Sequence, residues 1–117
     1  MRMHKLNIDG KEIMFLNNFR GTGSGFMHET ELYIDGWQAA AARCHYINRT
    51  WERYSYQSVM LEAVHKLQEE ETDREKRRFR EIHGIKNIMA RHKPALAVQL
   101  ENSETLSFYK AIEEALR

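Results

Sequence analysis

Two short groups of residues have types and spacings that could support catalysis or metal binding. Glu62 and His65 form a Glu-x-x-His pair, which is half of the ligand set of a di-iron helical bundle. That chemistry needs a second pair and two further carboxylates, so one copy does not make a site. Cys44 and His45 are neighbours on a predicted strand and point to opposite faces, so His45 cannot be the base that activates Cys44. We therefore expect no metal, no cofactor and no catalytic residue in this chain.

A glycine-rich loop, "RGTGSG", occupies residues 20–25. Backbone amides beside an arginine are the groups that cradle phosphates. The loop lacks the Gly-Lys-Ser/Thr ending of a P-loop and precedes the strand pattern "FMHETELYI", whereas a phosphate loop leads into a helix. We interpret it as a hairpin connection. An enzyme built around this loop and His28 is a third interpretation, after the two binding functions given below.

Rings and arginines are concentrated in the run "HYINRTWERYSYQSVM". On a helical wheel, Tyr54, Leu61 and His65 lie opposite the apolar stripe that runs from Tyr56 to Leu67. A C-terminal helix could cover this second face. Alternatively, the run forms an exposed patch with the composition of an interface hot spot. The candidate partner-binding residues of the patch are Arg49, Trp51, Arg53 and Tyr54.

A strongly basic segment follows at residues 74–93. It contains eight Lys or Arg against Glu75 and Glu81, a local net charge of +6, and an acidic group precedes it. Such a segment could contact the phosphates of DNA or RNA and make binding salt-dependent. It could equally be a solvated helix whose opposite charges neutralise one another. The candidate partner-binding residues in this segment are Arg74, Arg77, Arg78 and Arg80.

The first third of the chain has the pattern of strands joined by tight turns. Asp9-Gly10 and Asp35-Gly36 supply the positive φ angles of hairpin turns, and polar and apolar residues alternate before each of them. The apolar run from Ile13 to Leu16 predicts a central strand covered on both faces. The four alanines at 39–42 are poor strand formers, so the return strand of the second hairpin could instead start a helix.

The middle of the chain changes to helical periodicity at about Thr50. Asn48 or Thr50 can cap the predicted helix. Residues 68–78 contain no apolar side chain, so we expect them to extend the helix into solvent without packing on a core, although a break at Thr72 is an alternative. Gly84 is a suitable helix stop.

The last third predicts two further helices and one strand-length run. Ile85, Ile88 and Met89 indicate a short helix that ends before Pro94, and the apolar run "ALAVQL" has the length of a strand. Asn102 or Ser103 can cap a C-terminal helix. The whole pattern predicts an α+β fold, with N-terminal antiparallel hairpins packed on two to four helices, one of them long and charged.

Length and composition limit the class of protein. The 117 residues, 42% of them hydrophobic, suffice for one α+β domain over residues 1–117. A net charge of +1 excludes a globally basic nucleic-acid binder. Cys44 is the only cysteine, the N-terminus has no apolar leader, and no apolar run approaches the roughly 18 to 20 residues of a membrane span. We expect a cytoplasmic protein with no membrane partner.

The run "YINRTWERYSYQSVMLEAV", after a glycine-containing hairpin, resembles small proteins of phages and integrative elements in gut bacteria. The resemblance covers roughly residues 15–65. Proteins of this kind include anti-CRISPR and other anti-defence inhibitors, which typically act by binding and have no catalytic site. The resemblance therefore implies an inhibitor of a host defence protein, and it carries no role over to any single residue.

Two functions follow from these patterns. The first is a non-enzymatic inhibitor, acting in the host cytoplasm, that binds a host protein or nucleoprotein through the arginines and rings named above. The second is a small nucleic-acid-binding accessory protein that uses the basic segment 74–93 directly. A homodimer is possible with either function, because sequence does not distinguish a self-partner from a foreign one.

Overall fold

The computed structural model describes residues 1–46 and 55–117, and within them four strands precede three α-helices. The strands form one antiparallel sheet in the order β1-β2-β3-β4. This architecture confirms the predicted α+β class. The elements are β1 (Arg2–Ile8), β2 (Lys11–Thr22), β3 (Gly25–Ile34), β4 (Trp37–Tyr46), α1 (Tyr56–His83), a one-turn 3₁₀ helix (Ala90–His92), α2 (Lys93–Glu101) and α3 (Glu104–Leu116).

Two Asp-Gly turns close the first and last hairpins of the sheet. Asp9 and Gly10 have φ angles of 52° and 77°, and Asp35 and Gly36 have 48° and 82°. Two successive positive φ angles give a turn whose twist matches that of the flanking strands. Both predicted hairpins are therefore confirmed. The Asp35 carboxylate also accepts a hydrogen bond from the backbone N–H of Glu12, at 2.9 Å, which fixes the turn to β2.

One face of the sheet forms the core and the other remains partly open. Ile13, Phe15 and Leu32 point toward the helices and are fully buried. Met14 and Leu16, on the opposite face of β2, are only half-buried. The prediction that β2 is a central strand is confirmed, but the prediction that it is covered on both faces is wrong, because no helix among residues 1–46 and 55–117 buries Met14 and Leu16 on the second face.

The alanine run lies in strand β4, which confirms the strand interpretation over the helical one. Ala40 and Ala42 pair with Leu32 and Thr30 of β3. Ala42 is buried beneath α1 and belongs to the main core. Small side chains at these positions let α1 approach the sheet closely, and this packing outweighs the weak strand propensity of alanine.

Helix α1 begins later than the sequence predicted. Its N-cap is Ser55, whose extended backbone lets the hydroxyl accept a hydrogen bond from the N–H of Ser58 at 3.2 Å. The predicted caps, Asn48 and Thr50, lie outside the described residues. The helix runs for 28 residues and ends at Gly84, as predicted, with that glycine at φ 62°. Neither α1 nor another helix in the described ranges is long and apolar enough to cross a membrane.

The stretch from Gln68 to Arg78 continues the helix, as predicted, but it is not fully solvated. Glu71 and Glu75 are buried, with 4% and 7% of their surface exposed. The prediction that nothing in this stretch can pack on a core is wrong. The buried positions of this half of α1 follow one another every four residues from Leu67 to Phe79, so the two glutamates fall on the stripe that α2 and α3 cover.

The region around Pro94 is the clearest error of the sequence-based prediction. No α-helix forms over residues 85–92, and the apolar run after Pro94 is helical. Proline has no backbone N–H to donate and a φ angle that suits the first turn of a helix, so here it starts α2. The C-terminal helix is confirmed: Ser103 caps α3 by accepting a hydrogen bond from the N–H of Leu106 at 3.2 Å.

Helix α3 covers the side of α1 that faces away from the sheet. Leu61 packs against the core together with Phe108 and Tyr109 of α3. The ring of His65 donates a hydrogen bond to the Glu113 carboxylate at 2.9 Å. For Leu61 and His65, the structure therefore confirms the interpretation that a C-terminal helix covers the second face of α1.

Candidate partner-binding surface

The structure describes four of the eight candidate binding residues, and all four lie on α1. Arg74, Arg77, Arg78 and Arg80 are on the second half of α1, beyond the part that packs on the sheet. The other four, Arg49, Trp51, Arg53 and Tyr54, lie outside the described residues.

Two of the arginines on α1 are held by the chain's own carboxylates. Arg74 donates a hydrogen bond to Glu71 at 2.8 Å, with Glu70 at 4.0 Å. Arg78 bridges the two buried glutamates: its guanidinium lies 3.5 Å from Glu71 and also donates to Glu75. The hydrogen bond with Glu71 raises the pKa of Arg74. Both guanidinium groups are therefore engaged by carboxylates of α1 itself, while 47% and 55% of the Arg74 and Arg78 side chains stay exposed.

The buried carboxylate of Glu75 is also fixed by helix α2. Gln99 donates from Nε2 to Glu75 Oε2 at 2.8 Å and to the Glu75 carbonyl oxygen at 2.9 Å. A buried carboxylate is tolerated only when its oxygens are hydrogen-bonded and its charge is compensated. Gln99 supplies the hydrogen bonds, and Arg78 supplies the compensating charge. The hydrogen bonds from Gln99 also hold α2 against the middle of α1.

Arg77 and Arg80 point away from this network. At 100° per residue, Arg77 lies about 200° and Arg80 about 140° around the helix axis from Glu75. Neither forms an ion pair with any residue that the structure describes. They line an open depression of about 490 Å³ at the end of the helix. Lys86 and the acidic Glu81 line the same depression. We call Arg77, Arg80 and Lys86 the basic end of α1.

The remaining candidate groups have structural roles. The Glu62-x-x-His65 pair is divided, since His65 bonds Glu113 on α3 and Glu62 is exposed. No cluster of three or more His, Cys, Asp or Glu side chains suited to a metal ion occurs among residues 1–46 and 55–117. Gly23 and Ser24 of the glycine-rich segment join β2 to β3, and its other residues belong to these strands, which confirms the hairpin interpretation.

Cys44 and His45 lie on opposite faces of β4, as predicted. The ring of His45 is within hydrogen-bonding distance of two hydroxyls of the glycine-rich loop, Thr22 at 3.0 Å and Ser24 at 3.3 Å. Burial, and next the negative charge of Glu62, raise the pKa of the Cys44 thiol. A raised pKa keeps the thiol protonated and lowers its reactivity.

The pair that joins α1 to α3 should make stability depend on pH. Burial acts to raise the pKa of Glu113, but the hydrogen bonds from His65 and Gln68 outweigh it and lower this pKa below its ordinary value of 4.5. The folded state then binds its proton less readily than the unfolded state, so the stabilisation is present above pH 4.5 and is lost as the pH falls through the lowered pKa.

We expect Glu113→Gln to flatten the acid side of the stability profile. Between about pH 6 and about pH 3 the variant should lose about 2 °C less in Tm than the wild type, since one partly exposed pair is worth well under 1 kcal/mol. Thermal unfolding followed by circular dichroism measures this. Glu114→Gln is the matched control, because Glu114 is exposed and makes no side-chain bond within the described part of the chain. Equal profiles for the two variants would contradict the assignment.

Sequence reasoning missed a second group of rings, at one end of the sheet. The rings of Phe19 and Phe26 stack with centroids 5.7 Å apart, and His28 lies between Phe19 and Tyr56 at 4.6 Å and 5.0 Å. The guanidinium of Arg2 lies over the Tyr56 ring at 5.3 Å. Burial lowers the pKa of His28. Phe19, Phe26 and His28 lie on the same face of the paired strands, and this follows from the register of the hairpin. That register was the signal from which the group of rings could have been predicted.

Exposed aliphatic side chains beside the basic end of α1 were also missed. Ile82 is 73% exposed and Met89 is 56% exposed.

The structure thus defines the chain as an α+β protein with a long helix, near the end of which Arg77 and Arg80 form no ion pair with any described residue. No family model, no curated protein and no solved structure matches the chain.

Proposed function

We propose that this chain is a non-enzymatic binding protein of mobile-element origin that inhibits a host defence protein or nucleoprotein. The observation that supports the proposal is the division of the four arginines on α1. Arg74 and Arg78 are bound by Glu71 and Glu75, whereas the exposed Arg77 and the half-buried Arg80 form no ion pair with any described residue. The planar guanidinium group suits carboxylates and phosphates, because it can donate two parallel hydrogen bonds and loses less entropy for each bond than a lysine ammonium does.

The position of these charges favours contact with a large partner. The basic end of α1 lies beyond the sheet, and the molecule is elongated, with principal extents of 51 × 34 × 22 Å. Positive charge at a projecting end also accelerates encounter with an acidic surface. In this proposal the inhibitor occludes its target by seating the basic end of α1 on it.

Charge reversal at the basic end tests the proposal. In cells whose defence system restricts a phage, the wild-type chain should restore plating, and Arg77→Glu/Arg80→Glu should reduce that restoration by about tenfold or more, since each lost charge-assisted contact costs about 1 to 3 kcal/mol. The matched control is Lys5→Glu/Lys110→Glu, which makes the same change in net charge at two exposed lysines elsewhere. Equal loss of activity in the control, or none in the first variant, would contradict the proposal.

A second candidate function is direct binding of nucleic acid. It is favoured by the convergence of Arg77, Arg80 and Lys86 on one depression, where each cation could neutralise a phosphate. Titration of labelled duplex DNA and of single-stranded RNA at several salt concentrations distinguishes the two functions. Three phosphate contacts predict that the logarithm of affinity falls with a slope of about −2 to −3 against the logarithm of salt concentration. A chain that shows no binding at low salt is not a nucleic-acid-binding protein.

A further inference from the structure

The two outer strands of the sheet, β1 and β4, differ in how their free sides are protected. An edge strand presents backbone N–H and C=O groups that can pair with another chain, and proteins usually blunt such an edge with a bulge, a proline or a covering group. The register of β4 with β3 shifts at Leu32 and Tyr33, and Lys66 of α1 donates from Nζ to the Ala41 carbonyl oxygen at 3.0 Å. Strand β1 has neither feature: its register with β2 is unbroken over seven residues that include no proline or glycine.

The hydrogen-bonding pattern of β2 shows which backbone groups of β1 face away from the sheet. The Glu12 carbonyl accepts a hydrogen bond from the Asp35 N–H at 2.9 Å, so Glu12 faces β3. Because the bonding side alternates along an antiparallel strand, the odd-numbered residues of β2 face β1, and their partners on β1 are even-numbered. The odd-numbered residues of β1 therefore turn their N–H and C=O groups outward. We call the backbone groups of Met3, Lys5 and Asn7 the β1 edge.

The β1 edge has no hydrogen-bond partner in the part of the chain that the structure describes. Its three N–H donors alternate with three C=O acceptors at the spacing of a strand. A nucleic-acid backbone does not match this alternation, because its phosphate oxygens only accept hydrogen bonds. The chemistry that fits the β1 edge is that of an extended polypeptide, which adds a strand to the sheet.

Side chains beside the β1 edge restrict the polypeptide further. Leu6 and Ile8 are half-buried on the helix side of the sheet, so aliphatic side chains on an added strand would extend the core there. Lys5, on the open face, forms no ion pair with any described residue. In the antiparallel register by which a second copy of β1 would pair all three outward residues, Lys5 lies opposite Lys5 of that copy. Like charges directly opposite destabilise a sheet, so this lysine favours a foreign strand over a second copy.

We propose that the β1 edge binds an extended segment of another protein as an added antiparallel strand, with aliphatic side chains on the helix side and no basic side chain opposite Lys5. Backbone groups supply the affinity, and the alternation of side chains sets which face of the segment turns toward the helices. This inference goes beyond the proposed function and does not rest on it, because it uses no residue of the basic end of α1.

The experiment compares three labelled peptides by fluorescence anisotropy on the full chain. The first alternates Leu and Thr over seven residues, beginning with Leu, and has solubilising residues beyond both ends. The second is N-methylated at its three Thr, whose N–H groups face β1 when the Leu side chains lie on the helix side. The third is N-methylated at three of its Leu, whose N–H groups then face solvent. The first and third should bind within about threefold of each other, and the second at least about tenfold more weakly, because it has lost three donors.

Amide hydrogen exchange of the isotope-labelled full chain, followed by NMR, locates the binding site. In the free chain the amides of the β1 edge should exchange at least about tenfold faster than those of His4 and Leu6, because only the latter are bonded to β2. Saturation with the first peptide should slow exchange at the β1 edge by at least about tenfold and leave the amide of Arg43, on β4, unchanged. Lys5→Glu is the control for side-chain recognition: it should change the affinity by less than about fivefold.

The outcomes separate this inference from its alternatives. No binding of the first peptide, equal weakening by both sets of N-methyl groups, protection on β4 in place of β1, or a larger effect of Lys5→Glu overturns it. Protection of the β1 edge in the free chain also overturns it. If that protection rises with chain concentration, together with the mass by light scattering, the occupant is a second copy; if it does not, the chain covers its own edge. Arg77→Glu/Arg80→Glu should bind the first peptide as the wild type does, so the plating assay tests the proposed function independently.

Discussion

Phe79→Ala is expected to lower the free energy of unfolding by about 3 kcal/mol. Phe79 is 1% exposed and fills the space between the end of α1 and the 3₁₀ helix, where it lies against His83 and His92. Removing the ring leaves a cavity that rigid neighbours close only in part. The loss includes both the transfer of apolar surface and the cavity itself.

Chemical denaturation measures this effect, with Ile82→Ala as the matched control. The control residue lies three positions away on the same helix but is 73% exposed, so its truncation should cost less than about 0.5 kcal/mol. A lower denaturation midpoint at unchanged slope would show a loss of stability without a change in the unfolding reaction. Equal costs for the two variants would mean that Phe79 is not a core residue of this region.

Arg78→Ala is expected to cost about 1 to 2 kcal/mol, much more than the same change at Arg77. Arg78 is the guanidinium shared by Glu71 and Glu75, and its loss leaves two buried carboxylates with less compensation. The cost is below that of a fully buried ion pair, because 55% of the Arg78 side chain is exposed and solvent screens its charge.

Arg77→Ala is a stringent control for this second result. It removes the same residue type one position earlier on the same helix, from an exposed side chain without an ion-pair partner in the described ranges. Its cost should be close to zero. In the plating assay we expect the larger effect from Arg77→Ala. This variant should weaken partner binding while its free energy of unfolding stays that of the wild type. If both substitutions were equally costly to stability, the division of the arginines into structural and binding groups would be wrong.

Local chemistry was enough to predict most of the fold. The two Asp-Gly pairs predicted their hairpins because the turn depends on residues within a few positions of each other. Gly84 and Ser103 were predicted at helix ends for the same reason. Pro94 was misinterpreted because proline suits both the residue after a helix and the first turn of the next, and only the packing of α2 on α1 decides between them.

The candidate surface was less predictable, because it depends on which side of α1 is covered. Residues 68–78 contain no apolar side chain to mark the covered side. A signal was nevertheless present: Leu67 and Phe79 are twelve positions apart, and the positions between them at intervals of four are Glu71 and Glu75. Extending the buried stripe through these glutamates would have placed Arg78 beside the covered side of α1 and Arg77 on the opposite side. Carboxylates can occupy this buried stripe because Gln99 donates a hydrogen bond to Glu75. Gln99 lies 24 residues from Glu75, so no local sequence pattern identifies it as the partner.

Helix α1 is continuous from the turns that cover the sheet to its basic end. The direction in which the basic end points therefore depends on the number of residues between these two parts. One residue inserted between the two parts would rotate the arginines by about 100° relative to the sheet. Seven inserted residues would return them to within about 20° of their present heading and carry them about 10 Å farther out. As far as the direction of the arginines is concerned, length variation in this helix should therefore be tolerated only in steps close to a whole number of turns, such as seven or eleven residues.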